Sequence, residues 1–317
     1  MIIKPKRLSY LLAMNLILGS SINMLTTAYA QRPEESLDWS IQTSKKTFYP
    51  GEPVLLTVKI SNTGQQKERI DFGTHDLEAF SMEIRDGSNK VVAKGGKIRR
   101  PGFEAFRPTI IPAGKTGQKS IVLNQWCSTL LPPGQYHVVC HVEYRLRSEA
   151  TKIPGTEPAF FKAGPLHSIE LELDINIVEM DTPKFEQILE DLAIREVRKD
   201  GQSKGEWLRK WQIAREMLAF TESPLAVPYQ LHILKVGAGT WLKRDVINSL
   251  ARSGTLEAAN GFMQIIEGCP QCGVEDVKQA IIDAVYRLRE TGKSDIINAT
   301  DEFVVKYKRP VLAKPRD

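Results

Sequence analysis

The chain has 317 residues, 42% of them hydrophobic and 26% charged, with a formal net charge of +5 and four cysteines. That length suits two domains, each with its own core. The charge balance gives no global argument for nucleic acid, and no segment beyond the first thirty residues is long and apolar enough to span a membrane.

Residues 1–30 read as an export signal. Lys4, Lys6 and Arg7 form a basic start, and an apolar stretch follows with its heart at Leu11 to Leu18. Ala28-Tyr29-Ala30 then supplies small residues ahead of a cut between Ala30 and Gln31. A retained anchor is the competing reading, because no charge appears from Leu8 to Gln31. Asn15, Ser20, Ser21 and Asn23 dilute that stretch, whereas a spanning helix wants about 20 mostly apolar residues. Losing the three cations lowers the net charge to about +2. The expected location is periplasmic or extracellular.

Residues 35–180 carry strand spacing. Asp38 to Thr43 predicts a first strand, and Tyr49-Pro50-Gly51-Glu52-Pro53 a turn. Val54, Leu56, Val58 and Ile60 then share one face of a strand that Asn62-Thr63-Gly64 ends. Shorter runs follow at 69–72, 80–85, 91–94 and 120–123. Pro132-Pro133-Gly134 opens the clearest strand, over 135–145. In the last strand Ile169, Leu171, Leu173, Ile175 and Ile177 alternate with Glu170, Glu172, Asp174 and Asn176. Seven or more strands separated by turn signals argue for an antiparallel β-sandwich.

In the 135–145 strand, Tyr136, Val138, Cys140, Val142 and Tyr144 form the core face, with His137, Val139, His141 and Glu143 opposite. His137 and His141 sit roughly 13 Å apart along a strand, too far to share one zinc. They read as part of an exposed face, and no metal or cofactor is expected. An exported chain with an even cysteine count usually pairs them. Cys127–Cys140 and Cys269–Cys272 is the expected pairing, each within one domain. Two buried free thiols are the alternative for Cys127 and Cys140.

Tyr49-x-Gly51-Glu52-x-Val54-x-Leu56-x-Val58-x-Ile60-x-Asn62, Arg85-Asp86-Gly87 and Pro133-Gly134-x-Tyr136-x-Val138 together resemble the immunoglobulin-like sandwich of the BsuPI type, a family named for an intracellular proteinase inhibitor. The resemblance covers about 120 residues and implies fold far more than activity. No stretch of this chain matches an inhibitory loop, and the export signal departs from an intracellular inhibitor.

Two loops are binding candidates. The first runs from Lys90 to Arg107 and holds Lys94, Lys97, Arg99 and Arg100, suited to an anionic partner or to plain solvation. The second, Arg147 to His167, is long for a link between neighbouring strands and contains Phe160-Phe161. Those rings either bind a partner or pack on the following module and set the angle between domains.

At Asp181-Thr182-Pro183 the period changes. A capping side chain followed by proline in the first turn starts a helix. Residues 181–308 then recur apolar every three to four positions, and 309–317 form a basic tail. Trp207, Trp211 and Trp241 read as core. Ile213 to Leu218, Val246 to Leu250 and Ile281 to Val285 correspond at offsets of 33 and 35 residues, and each is followed by a second helix. Two-helix units at such a period stack, because one unit cannot bury its own apolar face. This resembles HEAT-like repeats, which implies a solenoid; an irregular bundle is the alternative.

Cys269-Pro270-Gln271-Cys272 precedes a predicted helix start, where a thiol pKa falls and redox chemistry becomes available. No βαβ unit surrounds it and no second ligand pair for zinc lies nearby, which favours a local disulfide. The sequence has no GxSxG, HExxH or phosphate-loop motif, and no catalytic residue is assigned. The expected fold is therefore β then α, an immunoglobulin-like sandwich followed by a HEAT-like solenoid. The expected function is an exported, non-catalytic protein-binding or scaffold protein, with a protein partner and no nucleic acid. Proteinase inhibition through the sandwich is the alternative, and thiol redox chemistry at Cys269/Cys272 the third reading.

Overall fold

The structure, a computed structural model, describes residues 36–73, 76–98, 108–127, 129–148, 162–194, 203–235, 240–268 and 275–307. It has two parts: a β region, then a helical region with stacked helices. The switch in hydrophobic period marks the change, for the last strand ends at Ile177 and the first helix begins at Thr182.

The β region holds two sheets. The smaller has β1 (Leu37–Thr43), β3 (Leu55–Asn62) and β8 (Thr116–Val122), antiparallel in the order β1-β3-β8. The larger is built on the ribbon of β9 (Gly134–Ser148) and β10 (Lys162–Ile177), paired from Gly134↔Ile177 to Ser148↔Lys162. Two residues of β2 (Thr47–Phe48) pair in parallel with Asn176 and Ile177 of β10. The other side of β9 is shared. β4 (Glu68–Asp71) takes one end and pairs on with β7 (Thr109–Ile111), while β5 (Phe80–Asp86) and then β6 (Val91–Gly95) take the other.

One core joins both sheets. Leu56, Val58 and Ile60 of the smaller meet Ile70, Ile84, Val138 and Val142 of the larger, all fully buried. The alternation read from the sequence produces this, since strand neighbours point to opposite faces. Val139 departs from the pattern. It points outward with His137 and His141, yet it is buried, with Glu83 opposite it on β5 and Glu172 on β10. At the rim, the Trp126 indole donates to the Gly96 carbonyl at 3.0 Å, and a Cβ on Gly95 would lie 2.5 Å from that ring.

The expected Cys127–Cys140 disulfide does not form: both cysteines are free thiols. Cys140 points into the β core, between Met82 of β5 and Leu171 of β10 in register. Cys127 follows a 3-10 turn, Leu123–Trp126, that is not a strand partner of β9, so the hairpin that would juxtapose the sulfurs is absent. Burial pushes both thiols up to about 12, with the Glu222 carboxylate adding to the effect on Cys127. Cys269 and Cys272 lie outside the described residues.

The helices are α1 (Thr182–Ile194), α2 (Lys204–Ala219), α3 (Val227–Lys235), α4 (Thr240–Ser253), α5 (Leu256–Gly268), α6 (Glu275–Arg289) and α7 (Ser294–Lys306). Asp181 caps α1, accepting the Lys184 N–H at 3.3 Å. α4 packs between α2 and α6, and α5 between α3 and α7, so the pairs α2/α3, α4/α5 and α6/α7 stack on one another. The buried Gln230 amide of α3 ties that helix to α2 and, through the Ser249 hydroxyl at 3.0 Å, to α4. It donates to the Leu218 and Thr221 carbonyls at 2.9 and 2.8 Å, and Ser249 of α4 donates to the same Thr221 carbonyl at 3.1 Å. Trp207 and Trp211 depart from the core expectation. They are half-buried and meet at 5.8 Å, tilted by 33°, outside the helical core, with Arg215 over the Trp211 face at 4.0 Å.

The two regions meet at the turn 49–53. Glu52 closes it, accepting the Tyr49 N–H at 3.0 Å and pairing with Lys45 at 2.6 Å. Asn124 braces it by donating to the Glu52 carbonyl and accepting the Val54 N–H. Gly51, at φ +77°, then lies against the helical region. Its carbonyl accepts the Glu222 N–H at 3.1 Å, and a Cβ there would come within 2.4 Å of the Glu222 carbonyl oxygen. The Tyr49 ring meets Phe185 of α1 edge to face at 6.2 Å, while Leu55 and Val122 join the helical core.

Candidate functional site

Regular alternation on β9 and β10 puts every second side chain on the outer face of the larger sheet. There His137, His141 and Glu143 of β9 stand opposite Asp174, Glu170 and Ser168 of β10. His137 Nδ1 lies 2.9 Å from Asp174 and its Nε2 3.6 Å from Glu172; His141 Nδ1 lies 3.1 Å from Glu170. Both nitrogens of His137 thus face carboxylates. On the β5 side, Glu83 accepts from Arg85 at 2.7 Å and pairs with Lys94 at 2.9 Å, and the Lys94 and Arg85 cations hold its carboxyl below the usual range. The face is a ladder of paired charges across four strands.

At its lower end the ladder opens into a cleft of about 450 Å³. Lys46, Asp86, Asn89, Gln135, His137 and Asp174 give it polar walls. The Asp86 carboxylate is turned inward on its own loop. It accepts from the Ser88 hydroxyl at 2.6 Å and from the Ser88 and Lys90 N–H groups, contacts that hold its pKa below the ordinary aspartate value. Asn89 sits in the left-handed region at φ 64°, a conformation asparagine tolerates, and this completes the turn. The Tyr136 hydroxyl donates to the Pro132 carbonyl at 2.7 Å, and burial raises its pKa. The cleft offers hydrogen-bond donors and acceptors with two carboxylates and one ammonium group. Among the described residues no group of three or more His, Cys, Asp or Glu is placed to hold a metal ion.

Lys94 is paired with Glu83 and Lys97 with Glu143, so both belong to the ladder. Arg99, Arg100, Phe160 and Phe161 lie outside the described residues, as do Ala30 and Gln31 of the expected cut. Sequence reasoning found the histidine face but missed the cleft. Its wall residue Lys46 immediately precedes a two-residue strand, too short to show a period, and the Asp86–Asn89 turn gave no sign that it would close over the end of β9.

No protein-family model matches the chain, and no curated protein does. Among solved structures, it is similar to the Northeast Structural Genomics Consortium target SoR45, at 15% identity over 45% of this chain and 87% of that one, with a TM-score of 0.24. It is similar to the Pseudomonas fluorescens alkylpurine DNA glycosylase AlkC bound to DNA containing an abasic site analog, at 10% identity over 43% and 30% of the two chains and a TM-score of 0.22. Red sea bream transglutaminase aligns at 11% identity over 45% and 27%, with a TM-score of 0.22. Likenesses this low tie the chain to none of them. The chain spans less than a third of the length of the glycosylase and transglutaminase chains. No helix among the described residues is long and apolar enough to cross a membrane.

Proposed function

We propose that this chain is an exported, non-catalytic binding or scaffold protein, its β region an immunoglobulin-like sandwich of the BsuPI type and its helical region a short HEAT-like solenoid. The observation that supports this most is the way the parts are joined. A braced turn seats Gly51 on the Glu222 backbone and inserts Tyr49, Leu55 and Val122 into or against the helical core. This junction makes one body of two surfaces, and the β9–β10 face with its end cleft is left toward solvent. The chemistry of that face is pairing of opposite charges along strands, which suits recognition of another polypeptide. The helix pairs suit the same role, because stacked units present an extended surface.

The test is crosslinking of the full mature chain in its native cells, then mass spectrometry and reconstitution with the purified candidate. A single partner that binds the purified chain reversibly is expected. Crosslinks that return nothing, alongside turnover of a substrate, would overturn the proposal.

A further inference from the structure

We infer that the outer edge of β10 from Ile169 to Ile175 takes an extended segment of a partner protein in which basic residues alternate with apolar ones. The inference rests on the protein-binding reading above and names the partner's chemistry.

β10 runs for 16 residues, and β9 pairs with it along nearly its whole length. On its other side, among the described residues, only Asn176 and Ile177 pair with a strand, β2, while β1 of the smaller sheet packs beside β10 without pairing to it. An unpaired strand edge presents backbone N–H and C=O groups at alternate residues, which is a template for one more strand.

The inner face of β10 contains its own control. Ile175 and Ile177, beside β2, are 2% and 4% exposed. Ile169, Leu171 and Leu173 face the same core on the same strand but remain half-exposed. Where a strand is hydrogen-bonded to β10 on this side the row is sealed, and where none is the row stays half-open. A segment pairing with β10 ahead of the point where Lys46 meets Asn176 would seal the rest, and its inward positions would have to be apolar.

The outer face selects the charge. The Glu170, Glu172 and Asp174 side chains are 53%, 55% and 87% exposed. His137 and His141 touch them from the β9 side only. A second copy of this chain is a poor occupant, because antiparallel pairing of β10 with itself sets these carboxylates against one another. Lysine or arginine at the outward positions of an incoming strand meets them with opposite charge. About seven residues at roughly 3.3 Å each span the open edge.

The experiment uses the full mature chain and three eight-residue peptides: alternating Lys-Val, alternating Glu-Val, and a block of four Lys then four Val. Affinity is read by fluorescence anisotropy, and location by hydrogen exchange over residues 169–175. The alternating Lys-Val peptide is expected to slow exchange there and to bind about tenfold or more tighter than the other two. The triple substitution Glu170→Lys, Glu172→Lys, Asp174→Lys is expected to reverse the preference between Lys-Val and Glu-Val. Unchanged exchange over 169–175, or equal binding of the block and alternating peptides, overturns the inference even if the triple variant fails to fold. A natural partner captured equally with and without the three carboxylates also overturns it, and leaves the protein-binding reading standing. Peptide bound at β10 with no natural partner in any crosslink supports the edge and removes the broader reading.

Discussion

The two flanks of the β region meet opposite fates. Next to β3 and β8, the turn 49–53 is pressed onto the helices, and Leu55 and Val122 share the helical core. On the other flank, Ile169, Leu171 and Leu173 of β10 are half-exposed, and among the described residues no strand is hydrogen-bonded to them on that side, although β1 packs beside β10. Both flanks are built from the same alternating strands. The difference lies in what arrives to cover them: a second module of the same chain at one flank, and at the other the two paired residues of β2 with β1 lying alongside unpaired. An apolar row left half-covered on a strand edge is a liability unless charges guard it, and Glu170, Glu172 and Asp174 supply that guard.

The largest effect is expected at the docked flank. Gly51→Val adds a branched side chain in the left-handed region, where non-glycine residues cost about 1–2 kcal/mol, and drives a Cβ into the Glu222 carbonyl, for a total of about 2–4 kcal/mol. Scanning calorimetry should show one cooperative transition in the parent and two in the variant. Two transitions in both would mean that the turn does not couple the modules.

Next comes a pair of substitutions on one strand. Ile175→Ala, beneath β2, should cost about 2–4 kcal/mol by denaturant unfolding, and Leu171→Ala, on the open stretch, less than about 1.5 kcal/mol. Equal costs would mean that the open edge is covered after all.

The docked turn and the charged outer face of the larger sheet should also respond oppositely to pH. Burial raises the Glu222 carboxyl, against the pull of Arg252 at 2.8 Å, so folding loses stability as pH rises from the ordinary carboxylate value through the raised one. Glu222→Gln should therefore be more stable than the parent at pH 7 and converge with it in acid. Lys94 and Arg85 lower the Glu83 carboxyl, so its stabilisation is complete above the ordinary value and is lost as pH falls through the lowered one. Glu83→Gln should be less stable at pH 7 and converge below the ordinary carboxylate range. Melting temperatures across pH 3–8 read both signs.

The smallest signal is chemical. In a Cys269→Ser/Cys272→Ser background, Cys127 and Cys140 should resist alkylation at pH 8 until the chain unfolds, because thiols raised to about 12 hold little thiolate there. Rapid native labelling of Cys140 would contradict its place in the core.

The β3, β9 and β10 cores were legible because alternation decides which side chains face the core, and Leu56, Val58 and Ile60 follow it fully. The stacking of helix pairs was legible in the recurrence at 33 and 35 residues. β2 and β7 were not, since two or three residues carry no period. The start of β10 was hidden by Gly164-Pro165, where its register with β9 shifts between Ala163 and Leu166. The docking role of Gly51 depends on a backbone carbonyl in a distant loop, and no local pattern encodes that meeting. The disulfide expectation failed because cysteine count and compartment say nothing about which strands flank Cys140.

The most direct test is hydrogen exchange of the full chain, resolved by residue. With one flank docked and the other open, the Glu222 amide, bonded to the Gly51 carbonyl, is expected to exchange as slowly as the middle of β9, while alternate amides from 169 to 175 exchange within seconds. Rapid exchange at Glu222 together with uniform protection along β10 would contradict that arrangement.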